Sequence, residues 1–263
     1  MLTEQGIGDI IENTVSKNFH CFFDGKEVKV THLLDHIFPR ERKIRSLIGG
    51  LETSMGTRVW EPIAKAFAEG NAYHVLDEDD FFNQSVPIIP EDVLKFISLW
   101  EAKKIKDPHI PLHDSWLDVC EYVDENIDVS GLEYQKIPKG QGVDVILVRD
   151  NEFYFFDIKT NQINVGGGPK FLKNFIYWYT YLALMGIRKP VFCYLAFPFD
   201  PHKGSFWMKE KGKVSPLIPS REALVGNEFW DKLTGVNDTT HLIELTFKRL
   251  GTHFGEQFLH HFE

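Results

Sequence analysis

The chain has 263 residues, 29 Lys and Arg against 38 Asp and Glu, a formal net charge of −9 and 43% hydrophobic residues. That composition excludes a disordered or collagen-like protein, and a chain of this length can bury a sizeable core without disulfide or metal staples. The acidic balance also excludes a protein that holds nucleic acid by its overall charge, though not one with a local basic cleft.

In chain order, Ile7, Ile10, Ile11, Val15 and Phe19 recur at helical spacing and predict an amphipathic helix over 7–19. After a turn at Asp24-Gly25 come THLLDHIF and a charged run with Arg40, Arg42, Lys43 and Arg45, either a solvated helix face or a phosphate contact. Leu51, Met55, Val59, Ile63 and Phe67 stand four apart, the one-sided stripe of a helix over 51–69, although Gly56 and Pro62 argue against one straight rod. The stretch 72–90, with its DEDD run, reads as a loop. Helices are expected over 91–106, with acids first and lysines last as the dipole favours, and over 113–128.

From residue 142 the period changes. GVDVILV and FYFFDIK are β-branched or aromatic runs separated by RDNE, which predicts two strands and a tight turn. A glycine loop at 166–168 leads into a long apolar helix with Pro169 in its first turn, and PVFCYLAFPF over 190–199 reads as a buried strand. The remainder is expected to hold a loop, a polar hairpin (WMKEKGKVSPLI) and helices around EFWDKL and HLIELTFKRLG. With no repeat or linker, the chain reads as one domain over 1–263: an N-terminal helical segment over 1–45, a core over 46–200, and a C-terminal hairpin and helices over 201–263.

Centring a two-residue turn on Asp150-Asn151 pairs Asp144 with Asp157 and Arg149 with Glu152 across the ladder. Two directly opposed carboxylates repel unless a cation lies between them, and Lys159 falls on the same face as Asp157, one step further along. Hard oxygen ligands favour Mg²⁺ over zinc, and an ammonium beside them can orient a water and stabilise developing negative charge, which together make a phosphodiester hydrolase site. A structural salt bridge at a strand end is the competing reading of the same residues.

The layout of Asp144, a twelve-residue gap and Asp157-Ile158-Lys159 resembles the PD-(D/E)xK nuclease superfamily, with Val143 where the motif's name has proline. The succession DIKTNQINVGGGPKF, a helix with Trp178 and Tyr181, AFPFDPHKGSFW and LVGNEFWDKLTG further resembles type II restriction endonucleases of the TdeIII kind, over roughly 45–250. The resemblance implies an α/β fold, a mixed central β-sheet flanked by helices with additional N-terminal and C-terminal helices. It implies Mg²⁺-dependent cleavage of double-stranded DNA at a short palindrome, many such enzymes recognising GGNCC-like sites, with 5′-phosphate ends. Asp144, Asp157 and the Ile158 carbonyl would hold the metal and Lys159 would position the water. A further glutamate on the helix before the first core strand would be Glu61, with Glu52 its competitor; at 100° per residue the two point to opposite faces. A palindrome presents two equivalent strands, so a homodimer is expected. A repair or structure-selective nuclease of the same superfamily, or a catalytically silent DNA-binding protein, are the alternatives.

Around this centre, Asn161, Gln162 and Asn164 carry amides able to read base edges, with ordinary polar loop residues the plainer reading, and Lys170 and Lys173 stand beside a helix start able to meet phosphate, with a flexible connection the equal alternative. No stretch approaches the roughly 18 apolar residues of a membrane-spanning helix, and the opening MLTEQGIGDIIEN lacks a basic run followed by an apolar one. Cys21, Cys120 and Cys193 form no CxxC pair, so no disulfide framework or thiolate zinc site is indicated. The expected setting is the reducing cytoplasm, with DNA as partner and no membrane.

Overall fold

The structure, a computed structural model, describes residues 2–24, 33–160 and 163–257. They gather into two compact units, one drawn from Met1–Asn71 and Trp230–Glu263, the other from Ala72–Phe229.

In the first unit, α1 (Glu4–Phe23) starts where Thr3 Oγ1 accepts the Gly6 N–H, and buries Ile7, Ile11 and Val15 at four-residue spacing. Next come α2 (Pro39–Met55), a π-helical turn (Gly56–Trp60) and α3 (Glu61–Gly70). The expected helix runs on through Gly56 and Pro62, but not as one uninterrupted α-helix, since a π-helical turn begins at Gly56. Pro62 sits in the first turn of α3, where a missing N–H costs little, and the π turn absorbs the irregularity. That inserted turn also invalidates a uniform 100° step between Glu52 and Glu61, so the opposite-face argument for these two does not hold.

In the second unit, the stretch expected to be a loop contains β1 (His74–Leu76), α4 (Glu78–Phe82) and β2 (Ser85–Pro87). The acidic run that suggested a loop is the start of a helix: Asp77 caps it by accepting the Asp79 and Asp80 N–H groups, and acids in a first turn suit the dipole. The helices α5 (Glu91–Lys106) and α6 (Leu112–Asn126) follow as expected, then a short β3 (Tyr134–Lys136) that pairs with β2. The predicted hairpin is β4 (Val145–Arg149) and β5 (Glu152–Ile158), antiparallel, with Arg149 opposite Glu152 and Val145 opposite Phe156. Asp150 and Asn151 both have positive φ (53° and 68°), the mirror-image turn that matches strand twist.

Beyond them run α7 (Gly168–Leu184), β6 (Val191–Phe197), α8 (Phe206–Val214), β7 (Ala223–Val225), α9 (Asn227–Thr234) and, back in the first unit, α10 (Thr239–Gln257). The expected hairpin at WMKEKGKVSPLI is therefore mostly α8: Phe206, Glu210 and Val214 are buried four apart, a helical period that outweighs the turn signals of Gly212 and Pro216.

The main sheet has the order β1-β4-β5-β6-β7, antiparallel through β1, β4 and β5 and parallel through β5, β6 and β7. It is the mixed sheet flanked by helices that the resemblance implied. The β5–α7–β6 crossover lays α7 over one face, where Trp178 meets Phe155 at 6.0 Å between ring centroids, while Tyr194 and Phe229 pack on Phe156 on the other. No helix among the described residues is long and apolar enough to cross a membrane.

Candidate active site

At the carboxyl ends of the parallel strands, the usual place for a ligand in such a sheet, β5 delivers Asp157 opposite Leu195 of β6. The ladder continues one step past the strand, with the Lys159 N–H donating to Ala196 O over 2.9 Å. Alternation puts Asp157 on the face of Phe153 and Phe155, beneath α7. Asp144 immediately precedes β4, so the paired register stops one residue short of it. Its side chain closes the gap: Oδ2 accepts the Ile158 N–H at 2.7 Å.

Asp157 is 6% exposed and forms an ion pair with the half-buried Lys159 ammonium. Burial pushes its carboxyl above the ordinary aspartate range; Lys159 and Lys170 oppose the rise and Asp144 adds to it. Lys159 itself lies over the Phe171 ring in the first turn of α7, at 5.7 Å from the centroid. The hairpin thus brings the carboxyl groups of Asp144 and Asp157 together with the Lys159 ammonium at the end of β5.

Lys170 and Lys173 are exposed on the first turns of α7, Lys173 over the Tyr177 ring, and Asn164 is exposed in the loop before it. Asn161 and Gln162 lie outside the described residues. Gly168 has a packing role: an added Cβ would stand 1.9 Å from Ser215 O and 2.5 Å from Val214 O. Glu61 belongs to the first unit, half-buried at the start of α3, and Glu52 is exposed on α2.

The donor set suits a hard cation. Asp144, Asp157 and the Ile158 carbonyl offer only oxygen, and no cluster of three or more His, Cys, Asp or Glu fit to hold a metal occurs among the described residues, so a third donor would come from the backbone. An acid raised by burial and by a neighbouring acid is in the position that a divalent cation relieves.

The sequence reading missed what positions Asp144. The preceding loop is clamped by α7, where Asn174 Nδ2 donates to Gly140 O (2.9 Å), Trp178 Nε1 donates to Gln141 O (2.7 Å) and the Tyr181 hydroxyl donates to Gln141 Oε1. On its other side Glu78 of α4 accepts the Val143 N–H. Nothing in the spacing of these residues announces the clamp, but the Asp77 cap followed by acids and two phenylalanines is a helix-start signature that could have taken Glu78 out of the loop.

Among protein-family models, the one described as "Type II restriction endonuclease, HinfI" matches residues 3–251, a span that includes every element of the hairpin site. It meets the TdeIII resemblance at the level of type II restriction endonucleases. No curated protein and no solved structure matches the chain.

Proposed function

Because this chain belongs to the HinfI family of type II restriction endonucleases, which cleave DNA, we propose that it is a Mg²⁺-dependent, site-specific enzyme with a PD-(D/E)xK core, acting on double-stranded DNA as one nuclease domain per subunit of a homodimer. The observation that carries this reading is the meeting of Asp144, Asp157 and Lys159 at the end of one β-hairpin.

In the proposed reaction a water oxygen bonds to phosphorus and the bond from phosphorus to O3′ breaks, leaving a 5′-phosphate and a 3′-hydroxyl. Asp144, Asp157 and the Ile158 carbonyl would hold the magnesium ion, which when bound polarises a phosphoryl oxygen and acidifies water. Lys159 orients the attacking water and donates to the phosphoryl oxygens as their charge grows. The apolar surroundings of Asp157 and the Phe171 ring beneath Lys159 limit bulk water, which strengthens each of these interactions. Lys170 and Lys173 would meet backbone phosphate, and Asn164 with Asn161 and Gln162 would approach base edges from the adjacent loop. Two subunits related by a two-fold axis would each cut one strand of a short palindrome.

Incubation of the purified protein with plasmid DNA and Mg²⁺ tests the reading. Discrete fragments are expected from the wild type and none from Asp157→Ala or Lys159→Ala. Intact plasmid with every divalent cation, or undiminished cutting by both variants, overturns it.

A further inference from the structure

We infer that Glu78 is a positioning residue of this site, holding Asp144 in place through the Val143 backbone; the inference rests on the nuclease reading above. The Val143 N–H lies immediately before Asp144 in a residue that is only 6% exposed, where an unpaired donor would be costly. Its acceptor is the Glu78 carboxylate, brought from 65 residues earlier in the chain. Gly142 makes room for that carboxylate, since a Cβ there would stand 3.2 Å from Glu78 Oε1.

Glu78 is itself firmly placed. The helix that carries it is capped by Asp77, and its phenylalanines lock onto β5: Phe81 lies 5.6 Å from Phe153 and 5.9 Å from Phe155, and Phe82 lies 6.3 Å from Phe155, between ring centroids. The same strand carries Asp157. α4 therefore ties the strand bearing one acid to the loop bearing the other, while Asn174, Trp178 and Tyr181 hold that loop from the α7 side. Glu78 acts through Asp144, and its loss should weaken metal binding before it weakens the chemical step.

Two variants separate this role from a merely structural one. Glu78→Met keeps the side chain's length and removes the acceptor; Glu78→Gln keeps an acceptor and removes the charge. Plasmid cleavage is followed against Mg²⁺ concentration, and Ca²⁺ binding is measured by titration calorimetry. Glu78→Met is expected to raise the Mg²⁺ concentration for half-maximal cleavage and the Ca²⁺ dissociation constant by roughly 10- to 100-fold, with the rate at saturating Mg²⁺ changed much less. Glu78→Gln should stay close to the wild type in both.

Unchanged metal dependence in Glu78→Met overturns the proposal, as does equal impairment of Glu78→Gln, which would mean that the charge and not the hydrogen bond matters. Should Glu78→Met fail to fold by circular dichroism, Glu78→Ala takes its place in both titrations, unchanged metal dependence overturning the proposal and a rise of roughly 10- to 100-fold supporting it. A wild type that does not cleave sinks the nuclease reading instead, and the Ca²⁺ titrations still rank the three proteins with respect to Glu78.

Discussion

The Ile158 N–H donates to Asp144 Oδ2 over 2.7 Å, so a side chain just outside β4 is pinned to the backbone at the end of β5. Asp144→Asn keeps an oxygen for that bond and loses the charge. Relief of repulsion from Asp157 and loss of a charge-assisted bond act in opposite directions, leaving a stability change expected to be under about 1 kcal/mol. Cleavage of plasmid DNA should fall by more than roughly 100-fold, beyond the range for groups that only support a metal ligand. Urea unfolding and a cleavage assay on one preparation check both halves. A large loss of stability with modest loss of cutting would make Asp144 structural.

Asp157 supplies the second test. Its carboxyl is pushed up by burial, and Asp144 adds to the rise, so its ionised form is held in the cation-free protein at a cost that Lys159 only partly offsets. Asp157→Asn is expected to melt no lower than the wild type when divalent cations are removed. Adding Ca²⁺ at 100 times its dissociation constant stabilises a binding-competent protein by about 2.7 kcal/mol, roughly 5–10 °C for a chain of this size. That rise should occur in the wild type and be absent from Asp157→Asn, as differential scanning calorimetry can show. An equal rise in both proteins would place the cation elsewhere.

The hairpin was legible because strands have a period of two and the turn leaves only two residues unpaired. Counting from Asp150-Asn151 sets the five pairs of the ladder, from Val145 with Phe156 down to Arg149 with Glu152, while the expected Asp144–Asp157 pair falls one step beyond it. The α7 helix was legible from its apolar run and Pro169. Short elements were not: β1 and β7 are three residues each, too brief to show alternation, and are strands because β4 and β6 offer them edges. α8 was hidden by Gly212 and Pro216, and α4 by its own acidic cap. That Asp144, Asp157 and Lys159 come together could be read from the sequence because they are close in sequence as well as in space. Glu78 and Tyr181 could not, since each reaches the 140–143 loop from tens of residues away and no local pattern encodes such a contact.

Alkaline pH should loosen this same loop. Burial pushes the Tyr181 phenol up to about 12, above its ordinary value of 10.0, while its hydroxyl donates to Gln141 Oε1. Burial likewise raises Cys120 to about 11, and raises Tyr154, Tyr179 and Tyr194. Between about pH 9 and 12 the unfolded chain therefore releases protons that the folded chain keeps, so stability present below pH 9 is lost as pH rises. Lys104, whose ammonium is lowered by burial, works in the opposite direction but is outnumbered. Tyr181→Phe should have a shallower decline of unfolding free energy between pH 10 and 12, measured by urea denaturation at a series of pH values. An unaltered slope would mean that this phenol titrates alike in both states.

Away from the chemistry, Lys104 and Glu222 form a buried pair whose two halves are unequal. Glu222 accepts from the Lys104 ammonium, from the Leu112 N–H at 2.6 Å and from the Ile218 N–H at 2.8 Å, while Lys104 has the Ile110 carbonyl at 2.7 Å as a second partner. Glu222→Ala removes the acceptor of three donors and leaves a lysine at 0% exposure without its counter-charge, a change expected to cost about 3–5 kcal/mol. Lys104→Met leaves the carboxylate its two backbone donors and fills the space with an apolar chain of similar length, so it should cost distinctly less. Once the lysine is gone, adding Glu222→Ala orphans two backbone groups and no longer strands a buried ammonium. The double variant should therefore lose less than the sum of the single losses, an interaction that a double-mutant cycle in urea measures directly. Lys104 also sets a sign for pH: its folded value is depressed below 10.5, so the unfolded state binds the proton more tightly and its contribution to stability grows as pH rises toward 10.5. Without Glu222 that depression deepens and the window widens towards neutrality, so Glu222→Ala should recover some of its lost stability as the solution is made more alkaline, relative to the wild type at the same pH. Strict additivity would show that the pair contributes nothing as a unit, and equal costs for the two single variants would show that its halves are not unequal.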